Sequence, residues 1–154
     1  MCRPTTFLAV ATLLTLSVGC GRSPPKPAEV YRSFHEGLAS MARGGETGGA
    51  RAAYALLTKE SQEHLVKLAD ALNDRLPASV PRLEPADLLR VRRLLVGAPL
   101  DDVVETSVSE EVALLEVRSG ETVQKVTLKR EGTAWRVAYF ETPETAGASK
   151  QGEP

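Results

Sequence analysis

The chain of 154 residues has two cysteines, Cys2 and Cys20, and none beyond residue 20. Its body therefore has no disulfide framework, no thiol nucleophile and no thiolate metal ligand. Histidine is as scarce: His35 and His64 stand alone and far apart, so the paired spacing of a zinc site is missing. Aromatic residues make up 5%, too few for a surface that stacks bases or sugars. An excess of positive charge is also lacking. Lys plus Arg is 19 against 20 for Asp plus Glu, which removes the basic footprint of a nucleic-acid binder. No Gly-x-Ser-x-Gly elbow occurs, so the hydrolase nucleophile that depends on that turn is excluded. Gly44-x-x-x-x-Gly49 imitates the start of a phosphate loop, but Ala50-Arg51 stands where a lysine and a hydroxyl residue are needed. No metal or cofactor is implied, and nucleic acid drops out as a partner.

What is present begins with an address. Arg3 precedes an apolar run from Phe7 to Val18. At ~1.5 Å per residue that run spans ~18 Å, short of the ~30 Å hydrocarbon core of a bilayer. It reads as a signal peptide over residues 1–19 rather than a membrane span. Small residues lead into a cysteine, Leu16-Ser17-Val18-Gly19-Cys20. This resembles the lipobox of bacterial lipoproteins, with Ser17 at the place where Leu is usual and Leu16 one position further out. The resemblance implies cleavage after Gly19, acylation of Cys20 and attachment to the lipid bilayer through that residue. Gly21 rather than Asp after the cysteine implies, by the same resemblance, the periplasmic side of the outer membrane rather than the inner membrane. Residues 20–27 form a linker rich in proline, which at ~3.1 Å per residue lifts a domain roughly 20 Å off the surface.

From Ala28 the apolar period is helical. Val30, Tyr31, Phe34, Leu38 and Met41 form one stripe. The glycines between Gly44 and Gly49 break it, and Ala50, Ala53, Tyr54 and Leu57 mark a second, shorter helix. Thr58 reads as the N-cap of a third helix with Leu65, Leu68, Leu72 and Leu76 inward, stopped by Pro77 and Pro81. A fourth helix is expected from Pro85 to about Arg93 with Leu88 and Leu89 inward. After Pro99 the period becomes two. Strands are expected from Val103, over Val112 to Arg118 and over Thr122 to Arg130, and last through Trp135, Val137 and Tyr139. In the third of these Val126 and Leu128 face inward, with Lys125, Thr127 and Lys129 outward. The turns are Ser119-Gly120 and Glu131-Gly132. Helices followed by a meander predict an α+β domain over residues 28–141, the helices packed on one face of an antiparallel sheet. Residues 142–154 read as a disordered tail.

The closing segment Leu128-Lys129-Arg130-Glu131-Gly132, followed after two residues by Trp135-Arg136-Val137, resembles the last hairpin of the nuclear transport factor 2-like superfamily. Tyr31-x-x-Phe34 and Tyr54-x-Leu56-Leu57-Thr58 fit the same plan. The resemblance implies a cone, a curved antiparallel β-meander wrapped round the first helix with a pocket between them. Some members of that superfamily are isomerases or dehydratases and many have no chemistry. No catalytic residue of the family maps onto this chain.

The residues placed around such a pocket are Tyr31, His35, Tyr54, Glu116 and Trp135. His35 flanks the first helical stripe, where it could serve as an acid or base, whereas His64 faces water. Glu116 and Arg118 alternate with an apolar strand face. The alternation puts them in solvent, and a buried ion pair inside the cone is the other arrangement. Arg90, Arg92 and Arg93 form a small basic cluster, read as a solvated face at a helix C-terminus. Two functions stay open: a non-catalytic binding or interaction module for an envelope protein or small ligand, and a small pocket enzyme of isomerase or hydrolase type using His35 or Glu116. A homodimer through the sheet is a further arrangement, marked by an exposed apolar patch on the strands.

Overall fold

The apolar stripe that opens the domain becomes a helix because Pro27 stands at its first turn, where a missing N–H costs nothing. The Glu29 carboxylate accepts a hydrogen bond from the Lys26 N–H at 3.0 Å. In the computed structural model, which describes residues 24–42, 48–90 and 99–141, this is α1 (Pro27–Ala42). It is followed by α2 (Gly48–Ala55), α3 (Lys59–Asn73) and a six-residue 3₁₀ turn (Pro85–Arg90). Four strands complete the domain: β1 (Asp102–Val108), β2 (Val112–Ser119), β3 (Thr122–Glu131) and β4 (Ala134–Val137). The architecture is α+β, with the helices preceding a single antiparallel sheet in the order β1-β2-β3-β4. The signal, Gly19, Cys20, the 142–154 tail, Arg92 and Arg93, and the side chain of Arg90 lie outside the described residues.

Two-residue turns at Gly120–Glu121 and Gly132–Thr133 set the hairpin registers, pairing Ser119 with Thr122 and Glu131 with Ala134. Each turn begins one residue later than the sequence implied. Each starts on a glycine with positive φ, 58° at Gly120 and 63° at Gly132, a conformation that a Cβ disfavours. Alternation along β2 then directs Ala113, Leu115 and Val117 inward, all without exposed surface. Val103, Leu128, Trp135 and Val137 extend that inner face, and the stripe of α1 from Val30 to Met41 is buried with them. Leu88 and Leu89 of the 3₁₀ turn, with Leu65 and Ala69 of α3, complete the core.

α1 and α2 meet at a seam of small residues. A Cβ on Gly37 would stand 2.8 Å from the Gly49 carbonyl oxygen, and one on Gly49 would stand 2.7 Å from the Gly37 oxygen. Glycine is therefore required there by close approach of two backbones.

The sheet has two edges, each closed in part by the helical half. At β1 the pairing with β2 shifts register between Glu105 and Ser107, and the Glu105 carboxylate accepts the Ala28 N–H at 3.1 Å. A bulge and a charge are ordinary protections for an edge strand. At β4, Leu57 makes a parallel bridge to Val137, with the Val137 N–H donating to the Leu56 oxygen and the Thr58 N–H to the Val137 oxygen.

Four expectations need correction. The inward residues of α3 are Ser61, Leu65 and Ala69, while Leu68 and Leu72 are exposed and Leu76 lies beyond the helix. The rotation is set at the N-terminus, where Thr58 caps the helix by accepting the Ser61 N–H and the Ser61 hydroxyl accepts the Tyr139 N–H at 3.0 Å. Ser61 thus points at the sheet, and its four-residue successors follow it. The helix ends at Asn73, four residues before Pro77, because a proline ring clashes with the carbonyl four positions back. The fourth helix is a 3₁₀ turn within the described residues, although Leu88 and Leu89 point inward as expected. Thr127, expected on the solvent face, is fully buried. Tyr139 lies in a turn past the end of β4 rather than on its apolar face.

Candidate functional site

A cleft opens where β4 stops and β3 continues. β4 pairs with β3 only from Leu128 to Glu131, so among the described residues the first half of β3 has β2 on one side and no strand on the other. The wall opposite is the face of α1 that carries Tyr31, Phe34, His35 and Leu38. Gln124 to Thr127 form the floor, and the chain after β4, through Tyr139 and Glu141, closes one end. The volume is about 60 Å³. A pocket for a drug-sized ligand has roughly 300–1,000 Å³. At the ~30 Å³ that a water molecule occupies in the liquid, this cleft holds about two waters or one small side chain.

Its walls are aromatic and ordered by edge contacts. The Tyr31 and Phe34 rings lie 6.0 Å apart, Phe34 and Tyr139 are 6.1 Å apart at 65°, and Tyr139 and Phe140 are 5.1 Å apart at 87°. These separations and tilts suit the ring quadrupoles. His64, exposed as expected, stacks at 4.2 Å on Phe140 outside the cleft. Burial pushes the Tyr31 phenol up to about 12, and the nearby Tyr139 adds to the rise. Tyr31 is therefore neutral at physiological pH, able to donate or accept a hydrogen bond but unfit as a base. His35 is buried beside it. The hydroxyl of fully buried Thr127 finds no hydrogen-bond partner among the described residues, a deficit worth roughly 1–3 kcal/mol for a buried polar group.

The carboxylate in the cleft's lining, Glu141, hydrogen-bonds and ion-pairs with the Lys129 ammonium, which also lies 3.8 Å from Glu60. The bond to Glu141 is the main reason that the Lys129 pKa is raised, and partial burial opposes it. Glu141 is thus already engaged by a cation.

Of the five residues that the sequence pointed to, the structure brings Tyr31 and His35 together here. Tyr54 lies elsewhere, in a wide open groove of about 410 Å³ with Lys59, Gln62 and Val66. Its hydroxyl donates to the Gln62 oxygen at 3.4 Å, and the Gln62 amide donates to the Tyr54 oxygen at 3.0 Å. Glu116 is on the face of β2 that points away from α1, in an ion pair with Arg118 at 3.6 Å, as the solvent-face reading expected. Trp135 is buried on β4 under the Arg130 guanidinium, 5.8 Å from its ring centre, and serves packing. Thr127 and Glu141 belong to the cleft and were not read as site residues. The signal available for them is the difference in strand length: β3 alternates over ten residues, and the apolar run that pairs with it is far shorter.

Among the described residues, no group of three or more His, Cys, Asp or Glu side chains could hold a metal ion, and no helix is long and apolar enough to cross a membrane. Searches of protein-family models, curated proteins and solved structures find no match to the chain.

Proposed function

We propose that this chain is a lipid-anchored protein of the bacterial envelope whose α+β domain, a nuclear transport factor 2-like cone, acts as a non-catalytic binding module. The observation that carries the anchoring is the cysteine just after an apolar run too short to span, Phe7 to Val18, with Gly19 before Cys20. A diacyl or triacyl cysteine supplies the two or more chains that stable anchoring takes. Helices before a four-strand meander, with α1 buried against the inner face, support the cone. The cleft volume carries the non-catalytic reading. About 60 Å³ between α1 and β3 is a fifth of the smallest ordinary substrate pocket, and leucines such as Leu57, Leu65, Leu89, Leu115 and Leu128 fill the interior.

A second reading, a small pocket enzyme, has one observation in its favour: His35 and the Glu141 carboxylate line the same cleft. It requires the cleft to widen about fivefold and Glu141 to leave Lys129. A crystal structure in that state would favour it over the binding module.

The anchoring is tested by metabolic labelling with an alkyne-tagged fatty acid in a bacterial host. The native chain takes the label and sediments with membranes, and Cys20→Ser loses both. Membrane retention unchanged in Cys20→Ser refutes the proposal.

A further inference from the structure

The open half of β3 is a strand edge with its hydrogen-bonding groups directed outward. In an antiparallel pair each residue turns its N–H and C=O to the same neighbour, and these directions alternate along the strand. The two turns fix which is which. Thr122 closes the hairpin with β2 and Glu131 closes the one with β4, so even-numbered residues of β3 bond to the β2 side and odd-numbered residues to the β4 side. Two contacts agree: the Arg130 N–H donates to the Glu111 oxygen, and the Ala138 N–H donates to the Thr127 oxygen at 3.0 Å. Beyond that last bond the N–H and C=O of Val123 and Lys125, and the N–H of Thr127, point where β4 would continue. No strand among the described residues lies against them. Val123 is 51% exposed, and Gln124 and Val126, turned toward α1, are only partly covered.

From this edge we infer that the domain binds an extended peptide segment of a partner protein by strand addition, antiparallel to β3 along Thr122 to Val126. The inference rests on the binding-module reading above and is independent of lipid anchoring. Main-chain hydrogen bonds supply the affinity in such complexes, and pockets for alternate side chains supply the selectivity. Here the residue opposite Lys125 falls on the outer face beside an exposed ammonium, so an acidic side chain suits it. Its neighbours in the peptide turn inward toward the cleft at Tyr31, His35 and Val126. A volume of about 60 Å³ admits a small residue. The bound segment is therefore extended, with an acidic residue flanked by small ones. A second copy of the chain fits less well. Edge-to-edge pairing centred on Lys125 would set two ammonium groups opposite each other, and a five-residue edge of ~17 Å is short against the ~1,200–2,000 Å² of a stable interface.

The test uses the mature chain as bait for a phage-displayed library of random dodecapeptides. The selected peptide is then synthesised and followed by amide hydrogen exchange. Expected are peptides with an acid between small residues, and protection of the Val123 and Lys125 amides on binding by tenfold or more. Lys125→Pro removes an outward N–H and leaves the β2 ladder untouched, as proline at an edge allows, and should weaken binding by about tenfold or more. Lys125→Glu keeps the N–H and should turn the selection toward basic peptides, which serves if the proline variant misfolds. Three results overturn the inference: no enriched peptide, enriched peptides that leave those two amides exchanging freely, or amides already protected in the free chain. The last would mean that the edge is taken by the chain's own further residues or, if protection grows with concentration, by a second copy. Peptides that bind at another face sink the edge and leave the binding-module reading standing.

Discussion

Raising the pH above 10 should unfold this domain in part through Tyr31, and the size of that contribution follows from its site. The phenol ionises near 10.0 in ordinary surroundings and at about 12 in the folded chain, chiefly because burial disfavours the phenolate and secondarily because Tyr139 is near. Between those two values the unfolded chain has given up a proton that the folded chain still holds. Folding stability is therefore fully present below pH 10 and declines as pH rises toward 12. The slope is about 1.4 kcal/mol per pH unit, or about 3 kcal/mol across the window. Tyr31→Phe keeps the ring and its contact with Phe34 and removes the titrating group. Urea unfolding of both proteins at several pH values from about 8 to about 12 isolates the effect. The raised values of Lys129 and Tyr54 act equally on both proteins and cancel in the difference. The native chain should lose stability faster than Tyr31→Phe above pH 10, so that the two curves converge or cross. Parallel curves through pH 12 would show that the phenol is not buried as described.

Thr58→Ala removes the cap of α3 and the hydroxyl that donates to Ser61 Oγ at 2.9 Å, the atom that also holds the Tyr139 N–H. It should cost about 1–2 kcal/mol in chemical denaturation with an unchanged slope. Gly37→Ala puts a methyl 2.8 Å from the Gly49 carbonyl oxygen, forcing α1 and α2 apart. A loss of about 1–3 kcal/mol is expected, whereas Gly48→Ala, with open space around its Cβ, should be near neutral or stabilising.

The elements were legible where one physical signal dominates. The α1 stripe from Val30 to Met41 is read from its period alone, and the two hairpins from glycines between alternating runs. The period of α3 gives its place but not its rotation. Its four leucines outweigh Ser61 and Ala69 on any hydrophobic count, yet the cap at Thr58 and the bond to Tyr139 decide which side faces the core. The burial of Thr127 escapes the pattern for a related reason. Period two predicts its direction, while its burial depends on the chain after β4 folding back over it, a long-range event invisible to a local pattern. The cleft was legible only as Tyr31 and His35. The family plan groups Tyr54, Glu116 and Trp135 with them, whereas Tyr54 on α2 lines another groove, the register of β2 with β3 turns Glu116 to the outer face, and Trp135 is buried on β4. The exposed edge of β3 follows from a mismatch of strand lengths, a property of two segments together rather than of either one.

The central claim, that this domain works tethered by an acylated cysteine, is tested most directly by mass spectrometry of the protein recovered from bacterial membranes. The account predicts an N-terminal peptide that begins at Cys20, with residues 1–19 absent and a glycerol-linked diacyl or triacyl group on the sulfur. An N-terminus at another residue, or an unmodified Cys20 in the mature protein, would contradict it.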